Sequence, residues 1–187
     1  MAARDARPVV ALDFDGVLNA ITSHLAPDRQ LHTVNIPAEH WPDSLFLSQP
    51  RPGENVLRAQ FRLRPADGPW ITHLRQHAEV VWAITWEEAA NEFIAPLLGI
   101  EPLPLGVNRH EHPPRFGYVK TGDSAGWKLS ALRGKYRGRP VVWVDDNNWH
   151  DPPRGWRFIR PDEAIGMTDT HREQVEQFVQ RHIRAAS

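Results

Sequence analysis

Three stretches of the chain are continuous apolar, β-branched runs that end in polar residues: 8–15 (PVVALDFD), 78–85 (AEVVWAIT) and 139–146 (RPVVWVDD). A strand with one face in water alternates apolar and polar side chains, whereas a strand of a parallel sheet covered on both faces is apolar throughout. These runs therefore predict buried parallel strands. Residues 156–161 (WRFIRP) predict a further, shorter strand, and 102–106 (PLPLG) are a weaker candidate.

Helical patterns lie between the predicted strands. Residues 67–77 and 168–183 place apolar side chains at helical spacing, and 124–136 begins with a serine suited to a helix cap. Residues 85–99 open with Thr85 before two glutamates and close with a glycine, which predicts one helix over that range. Strands that alternate with helices predict an α/β protein with a parallel sheet and right-handed crossovers.

The long segment 19–66 interrupts this alternation directly after the first strand. Within it, 31–36 (LHTVNI) and 55–64 (NVLRAQFRLR) alternate with a period of two, as half-buried strands do. A structureless loop of that length is improbable inside a compact domain. We predict a β-hairpin insertion that acts as a flap or cap, with turns at WPDS and QPRPGEN, within a single domain spanning 1–187.

Composition narrows the classes of function. The chain has 22 Lys and Arg against 23 Asp and Glu, so its overall charge indicates neither nucleic acid nor an acidic membrane as partner. It has no cysteine, which excludes thiol catalysis, disulfides and cysteine-ligated zinc. We find neither a signal peptide nor a membrane-spanning stretch, and therefore expect a cytoplasmic protein without a membrane partner.

The side chains suited to phosphate or metal chemistry end the three long strands or lie early in the helix before the third: Asp13, Asp15, Thr85, Lys128, Asp145 and Asp146. Ligands of an open parallel sheet bind outside the carboxyl ends of its strands, where we expect these side chains to meet. Two carboxylates about 4 Å apart repel by on the order of 4 kcal/mol at an effective dielectric of about 20. A cluster of them needs a cation, and oxygen-only ligation favours Mg²⁺.

These residues stand in the order and contexts of the four motifs of the haloacid dehalogenase (HAD) superfamily, which the chain resembles over 8–165 apart from most of the insertion. DFDGVLN resembles motif I, VVWAIT motif II, Lys128 motif III and VVWVDD motif IV. ITWEEAANEFIAPLLGI, WKLSAL and WVDDN together resemble a small HAD branch grouped with nucleic-acid repair phosphatases. The resemblance implies a Rossmann-like fold, with a central parallel sheet flanked by helices.

The resemblance also implies phosphoryl transfer through an aspartyl-phosphate. Asp13 would be the nucleophile, and Asp15 the acid that protonates the leaving oxygen and then the base that activates water. Thr85 would bind the phosphoryl oxygens and Lys128 would neutralise charge on the nucleophile and the transferring group. Mg²⁺ would be held by the side chains of Asp13 and Asp145, by that of Asp146 either directly or through water, and by the main-chain carbonyl of Asp15.

Several residues admit a second interpretation. Lys120 is the rival of Lys128 for the catalytic lysine, and Thr85 can cap a helix as well as bind phosphate. The acidic pair of motif IV can instead cap the turn that follows it. For contact with the substrate we predict Thr85, Trp86, Arg109 and Lys120.

We therefore predict a Mg²⁺-dependent phosphomonoester hydrolase. Its small insertion leaves the site open enough for a bulky phosphate, such as a nucleic-acid end, although local basic charge supports nucleic acid only weakly. Two alternatives remain: a non-catalytic binding or regulatory module with the same fold, and a phosphotransferase with an acceptor other than water. The sequence leaves the substrate's identity and the oligomeric state open.

Overall fold

A computed structural model of the chain describes residues 7–37, 40, 53, 55–108, 111 and 124–186. The predicted turn WPDS, most of QPRPGEN and the predicted substrate residues Arg109 and Lys120 lie outside the described residues.

The described residues form six strands and four α-helices. The strands are β1 (Val9–Leu12), β2 (Gln30–Pro37), β3 (Val56–Leu63), β4 (Glu79–Trp82), β5 (Val141–Val144) and β6 (Trp156–Ile159). The helices are α1 (Asp67–Leu74), α2 (Ala95–Leu98), α3 (Ser124–Lys135) and α4 (Asp169–Ala186), and a π-helical turn, Ala90–Ile94, runs into α2. No helix in the described ranges combines the length and apolarity needed to cross a membrane.

The central sheet is parallel and has the strand order β4-β1-β5-β6. Leu12 at the end of β1 lies opposite Trp82 of β4 and Val144 of β5, so these three strands end at the same level. The predicted α/β fold with its parallel strands is therefore confirmed. The weaker strand candidate at 102–106 contributes only an isolated bridge, between Leu105 and Trp82.

Both faces of the sheet are covered, which explains why the strands are apolar at every position. Val10 and Leu12 face a core built from the hairpin, α1, α2 and α4. Val9 and Ala11 face a second core, built mainly from α3. The alternation of side chains along β1 thus supplies both layers.

The insertion contains the predicted hairpin. β2 and β3 pair antiparallel, with Gln30 opposite Leu63 and Pro37 opposite Val56. Alternate side chains of the hairpin are buried, among them Phe61, whose ring lies edge-on to Phe14 at 5.0 Å and to Trp86 at 5.7 Å between centroids. The hairpin therefore packs directly against the loop that carries motif I.

The predicted single helix over 85–99 is wrong at its start, because residues 85–87 form a turn. Glu87 has a positive φ of 50°, which no residue of a right-handed α-helix adopts, so a turn precedes the helical residues. Residues 88 and 89 are α-helical and the π-helical turn Ala90–Ile94 follows them. Pro96 lacks the N–H that an α-helical bond to Glu92 would need. The predicted end is correct, since Gly99 closes α2 with a left-handed φ of 65°.

Candidate active site

Three carboxylates meet at the carboxyl edge of the sheet. Asp13 follows β1, and Asp145 and Asp146 follow the neighbouring strand β5. The Asp13 N–H donates to the carbonyl of Val144 at 2.9 Å, which continues the strand pairing up to the site. One ligand atom from each of the three carboxyl groups lies within 4.8 Å of the others.

Lys128 reaches this cluster from α3. It is 3% exposed, and its Nζ donates to Asp13 Oδ2 at 2.5 Å and to Asp145 Oδ2 at 2.9 Å. Burial alone would lower the pKa of Lys128, but the charges of Asp13 and Asp145 outweigh it and the net shift is upward. The lysine therefore stays protonated, and it is the described lysine that contacts the motif I carboxylate.

The cluster carries more negative charge than the lysine balances. Burial raises the pKa of Asp13 well above its usual range, against the opposing charge of Lys128. Burial, then the charge of Asp145, raises the pKa of Asp146 to about 6. When all three carboxyl groups are ionised, they and one ammonium leave two negative charges, which one divalent cation with a preference for oxygen would neutralise. The donor set thus fits Mg²⁺.

Gly16 allows the chain to pass against the cluster. Its φ is +73°, and a Cβ at this position would lie 2.4 Å from Cγ of Asp146. Any larger residue would both strain the backbone and displace that carboxylate. The glycine of motif I is therefore required by the position of Asp146 as well as by the turn.

Asp145 belongs to the acidic cluster and also caps the turn that follows it. Its Oδ2 accepts from Lys128, while its Oδ1 accepts the main-chain N–H of Asn147 at 3.0 Å and closes the turn after β5. Turn capping and membership of the acidic cluster are thus compatible in one side chain.

Asp15 lies two positions from Asp13 but has different partners. Its Oδ1 accepts from Asn19 Nδ2 at 2.8 Å, and its Oδ2 accepts from Trp86 Nε1 at 2.8 Å. Burial raises the pKa of Asp15, and the hydrogen bonds from Trp86 and Asn19 oppose that shift. Its side chain is not part of the three-carboxylate group. The predicted contact of its main-chain carbonyl with Mg²⁺ remains a prediction.

Asn19 is a site residue to which the sequence analysis assigned no role. Besides donating to Asp15, it accepts the main-chain N–H of Arg62 at its Oδ1, at 2.8 Å. Arg62 belongs to β3, so one buried amide joins the hairpin to the Asp15 carboxylate. The only sequence feature that could have indicated this role is its position as the last residue of DFDGVLN.

The structure describes two of the four predicted substrate residues, Thr85 and Trp86. Thr85 is half-buried in the turn after β4, on the edge of the sheet that bears the carboxylates, and its contact with phosphate remains a prediction. Trp86 is only 4% exposed, and its indole N–H is used by Asp15. Its contact with the substrate remains a prediction, and the hydrogen bond of its indole is with the carboxyl group of Asp15.

A family model described as the HAD domain in Swiss Army Knife RNA repair proteins matches residues 9–172. The matched range contains all the predicted motif residues and the hairpin. No curated protein and no solved structure matches the chain.

Proposed function

The chain belongs to the family of HAD domains in Swiss Army Knife RNA repair proteins, a HAD-type hydrolase family, and from this premise we propose that it is a Mg²⁺-dependent phosphomonoester hydrolase acting on phosphorylated RNA ends. The observation that carries the proposal is the pairing of one buried lysine with Asp13 inside the three-carboxylate cluster. A module that only binds has no need for a nucleophile-like carboxylate held in this way.

Asp13 is the proposed nucleophile. One of its oxygens would attack phosphorus in line, forming a P–O bond while the bond from phosphorus to the ester oxygen breaks. Lys128, hydrogen-bonded to Oδ2 at 2.5 Å, favours the ionised carboxylate before attack and offsets the phosphoryl charge during transfer. The second Asp13 oxygen, Oδ1, accepts the Phe14 N–H at 2.8 Å, which fixes the plane of the carboxyl group.

Asp15 is the proposed acid and base. Its raised pKa favours a protonated carboxyl group that can donate to the leaving oxygen. After that transfer it is a carboxylate, which can take the proton of the water that attacks the aspartyl-phosphate and releases phosphate. The N–H groups of Trp86 and Asn19 hold the carboxyl group in place through both steps.

Mg²⁺ would be held by the side chains of Asp13, Asp145 and Asp146, with the Asp15 carbonyl as a further proposed ligand. When bound, it supplies positive charge against the phosphoryl oxygens. Thr85 is proposed to donate its hydroxyl to the same phosphoryl group.

The proposed substrate rests on the family and on the size of the insertion. The family model is described by RNA repair, and the described part of the insertion is a hairpin rather than a second α/β domain. Such a hairpin can leave room for a polymer end. We accordingly propose an RNA terminal phosphate in preference to a small metabolite phosphate.

Phosphate release in the presence of Mg²⁺ tests this proposal. Substrates are 5′- and 3′-phosphorylated RNA oligonucleotides and glycerol phosphate, and the variants are Asp13→Asn and, as a matched control, Asp151→Asn, an exposed aspartate outside the cluster. We expect turnover of an RNA end to be faster than that of glycerol phosphate, to need Mg²⁺, and to be lost only in Asp13→Asn. Activity that survives Asp13→Asn would exclude the nucleophile, and faster turnover of glycerol phosphate would exclude the RNA substrate.

A further inference from the structure

Trp149 is the most exposed large apolar side chain among the described residues, at 78%. A single exposed apolar residue is ordinary on a protein surface, but this indole is held in place. Its Nε1 donates to Asn147 Oδ1 at 2.9 Å. This hydrogen bond restrains the orientation of the exposed ring.

The same bond connects the indole to the acidic cluster. Asn147 donates its main-chain N–H to Asp145 Oδ1 at 3.0 Å while its side chain accepts from Trp149. Two hydrogen bonds thus join the ring to a carboxylate that we propose as a Mg²⁺ ligand. An exposed aromatic surface is therefore fixed on the loop that borders the proposed phosphate site.

Arg160 fixes the rest of this loop and adds positive charge beside the ring. Its guanidinium donates to the main-chain carbonyl of Asn148 and, at 2.7 Å, to that of His150. Its Cζ lies 6.0 Å from the centre of the Trp149 ring. The guanidinium therefore lies over one face of the indole, which leaves the opposite face for a nucleobase.

We infer, on the basis of the proposed function, that Trp149 is a stacking platform for the terminal nucleobase of an RNA whose end phosphate lies at Asp13. Every base presents a flat π face, so stacking requires no particular sequence. A stacked base would cover the indole face opposite Arg160, and the charge of Arg160 would add attraction for the negative RNA backbone. A small phosphate ester without a base would gain nothing from this surface.

Kinetics with paired substrates test the inference. The variants are Trp149→Ala, Trp149→Phe and, as a control, Ile165→Ala, which removes another apolar side chain, 57% exposed. The substrates are an end-phosphorylated RNA, the same RNA with an abasic terminal nucleotide, and glycerol phosphate. For Trp149→Ala on the intact RNA we expect kcat/KM to fall about 5- to 100-fold, mainly through KM.

The other combinations separate stacking from a structural effect. Trp149→Phe should keep most of the activity because it keeps an aromatic face, and Ile165→Ala should be unchanged. On the abasic RNA and on glycerol phosphate, Trp149→Ala should equal the wild type. An equal loss on glycerol phosphate, or no loss on intact RNA, overturns the inference.

A binding measurement keeps this test independent of turnover. Fluorescence anisotropy of a labelled end-phosphorylated RNA is measured with Asp13→Asn and with Asp13→Asn/Trp149→Ala. We expect the second protein to bind the intact RNA more weakly and the abasic RNA equally. If wild type hydrolyses no phosphoester, the proposed function fails while this comparison still decides the stacking site; equal binding of intact RNA by both proteins overturns the inference.

Discussion

Asp13 and Asp15 are separated by one residue, yet their surroundings suit them to different chemistry. Asp13 is paired with a buried ammonium, whereas Asp15 accepts two neutral N–H groups. Burial raises the pKa of both carboxyl groups; at Asp13 the charge of Lys128 opposes that rise, whereas at Asp15 the hydrogen bonds from two neutral donors oppose it. The local partners therefore support a nucleophile at the first position and a proton carrier at the second.

The role of Trp86 can be tested by changing the leaving group. Trp86→Phe removes the N–H that holds Asp15 and keeps most of the aromatic packing against Phe61. We expect kcat to fall about 10- to 100-fold on an RNA end, whose leaving oxygen needs a proton, and much less on p-nitrophenyl phosphate.

A matched substitution in β4 provides the control. Trp82 is also buried and donates its Nε1 to Asn91 Oδ1 at 2.9 Å, away from Asp15. Trp82→Phe should lose some stability and leave the ratio of the two rates unchanged. Equal losses on both substrates in Trp86→Phe would show that the indole only supports packing.

The close approach of Gly16 to Asp146 predicts that a side chain at position 16 impairs Mg²⁺ binding. Gly16→Ala and Gly155→Ala both place a side chain at positive φ, of +73° and +83°, but only the first brings a Cβ onto Asp146. Each should lower the free energy of unfolding by about 1 kcal/mol through backbone strain. Only Gly16→Ala should raise the Mg²⁺ concentration for half-maximal activity, by about tenfold or more. Parallel Mg²⁺ titrations of the two variants decide whether the position of the Asp146 carboxylate affects Mg²⁺ binding.

Ion pairs connect the elements that surround the site, and the pair within the core joins α4 to α1. Arg64, just after β3, pairs with Asp28 at 2.8 Å and with Asp169 of α4 at 3.0 Å. Arg172 of α4 pairs with Asp67 at the start of α1 at 2.5 Å. The hairpin, α1 and α4 are thus linked by charge as well as by the apolar core, which helps to hold the hairpin against motif I.

Breaking the pair between α4 and α1 should be costly. Arg172→Met leaves Asp67, 1% exposed, without its cation, and should lower the free energy of unfolding by about 3–5 kcal/mol in urea denaturation. Arg172→Met/Asp67→Leu should regain part of that loss because the unpaired buried carboxylate is removed as well. If the double variant is no more stable than the single one, the loss does not come from an unpaired carboxylate.

Sequence patterns predicted the elements whose causes are local. Continuous apolar runs identified the parallel strands because both sheet faces are covered, and the period of two identified the hairpin because only one of its faces is buried. The convergence of Asp13, Lys128 and Asp145 followed from the rule that parallel strands end at one edge. The turn at Glu87 was missed because the apolar spacing around it is still helical.

Contacts between distant segments could not be derived from such patterns. The bond from Trp86 to Asp15 spans 71 positions and the pair of Arg172 with Asp67 spans 105. Neither partner has a periodicity or motif that identifies the other. Asn19 was missed for the same reason, because its role depends on the hydrogen bond that it accepts from the main-chain N–H of Arg62 in β3.

For the whole molecule, charge is unevenly distributed. The formal net charge of the chain is −1, yet three carboxyl groups and a single ammonium, Lys128, meet at one edge of the sheet, a formal charge of −2 when all three are ionised. Folding therefore brings carboxyl groups together whose mutual repulsion cannot be inferred from the near-neutral composition. Cation binding should be coupled to the stability of the folded protein.

This coupling predicts a pH dependence of the Mg²⁺ effect. Burial raises the folded-state pKa of Asp13, Asp15 and Asp146, the last to about 6. Between about pH 4 and about pH 6 the folded protein then binds more protons than the unfolded chain, so metal-free stability falls as pH rises. Mg²⁺ competes with those protons. The increase in Tm that it causes, relative to EDTA, should be larger at about pH 7.5 than at about pH 5.

Asp146→Asn provides the control for that experiment. The variant lacks the titrating carboxylate and one proposed ligand, so its increase in Tm with Mg²⁺ should be small at both pH values. A wild-type increase that is equal or larger at the lower pH would contradict the coupling of protons and metal at this cluster.

The central claim, that Asp13 carries the phosphoryl group, is tested most directly by trapping the acyl phosphate. Turnover of an end-phosphorylated RNA is quenched and treated with borohydride, which reduces an aspartyl-phosphate to homoserine, and peptides are analysed by mass spectrometry. We predict homoserine at position 13 in the wild type, more of it in Asp15→Asn if hydrolysis is slowed more than formation, and none in Asp13→Asn. Homoserine at another aspartate, or turnover by Asp13→Asn, would contradict the account.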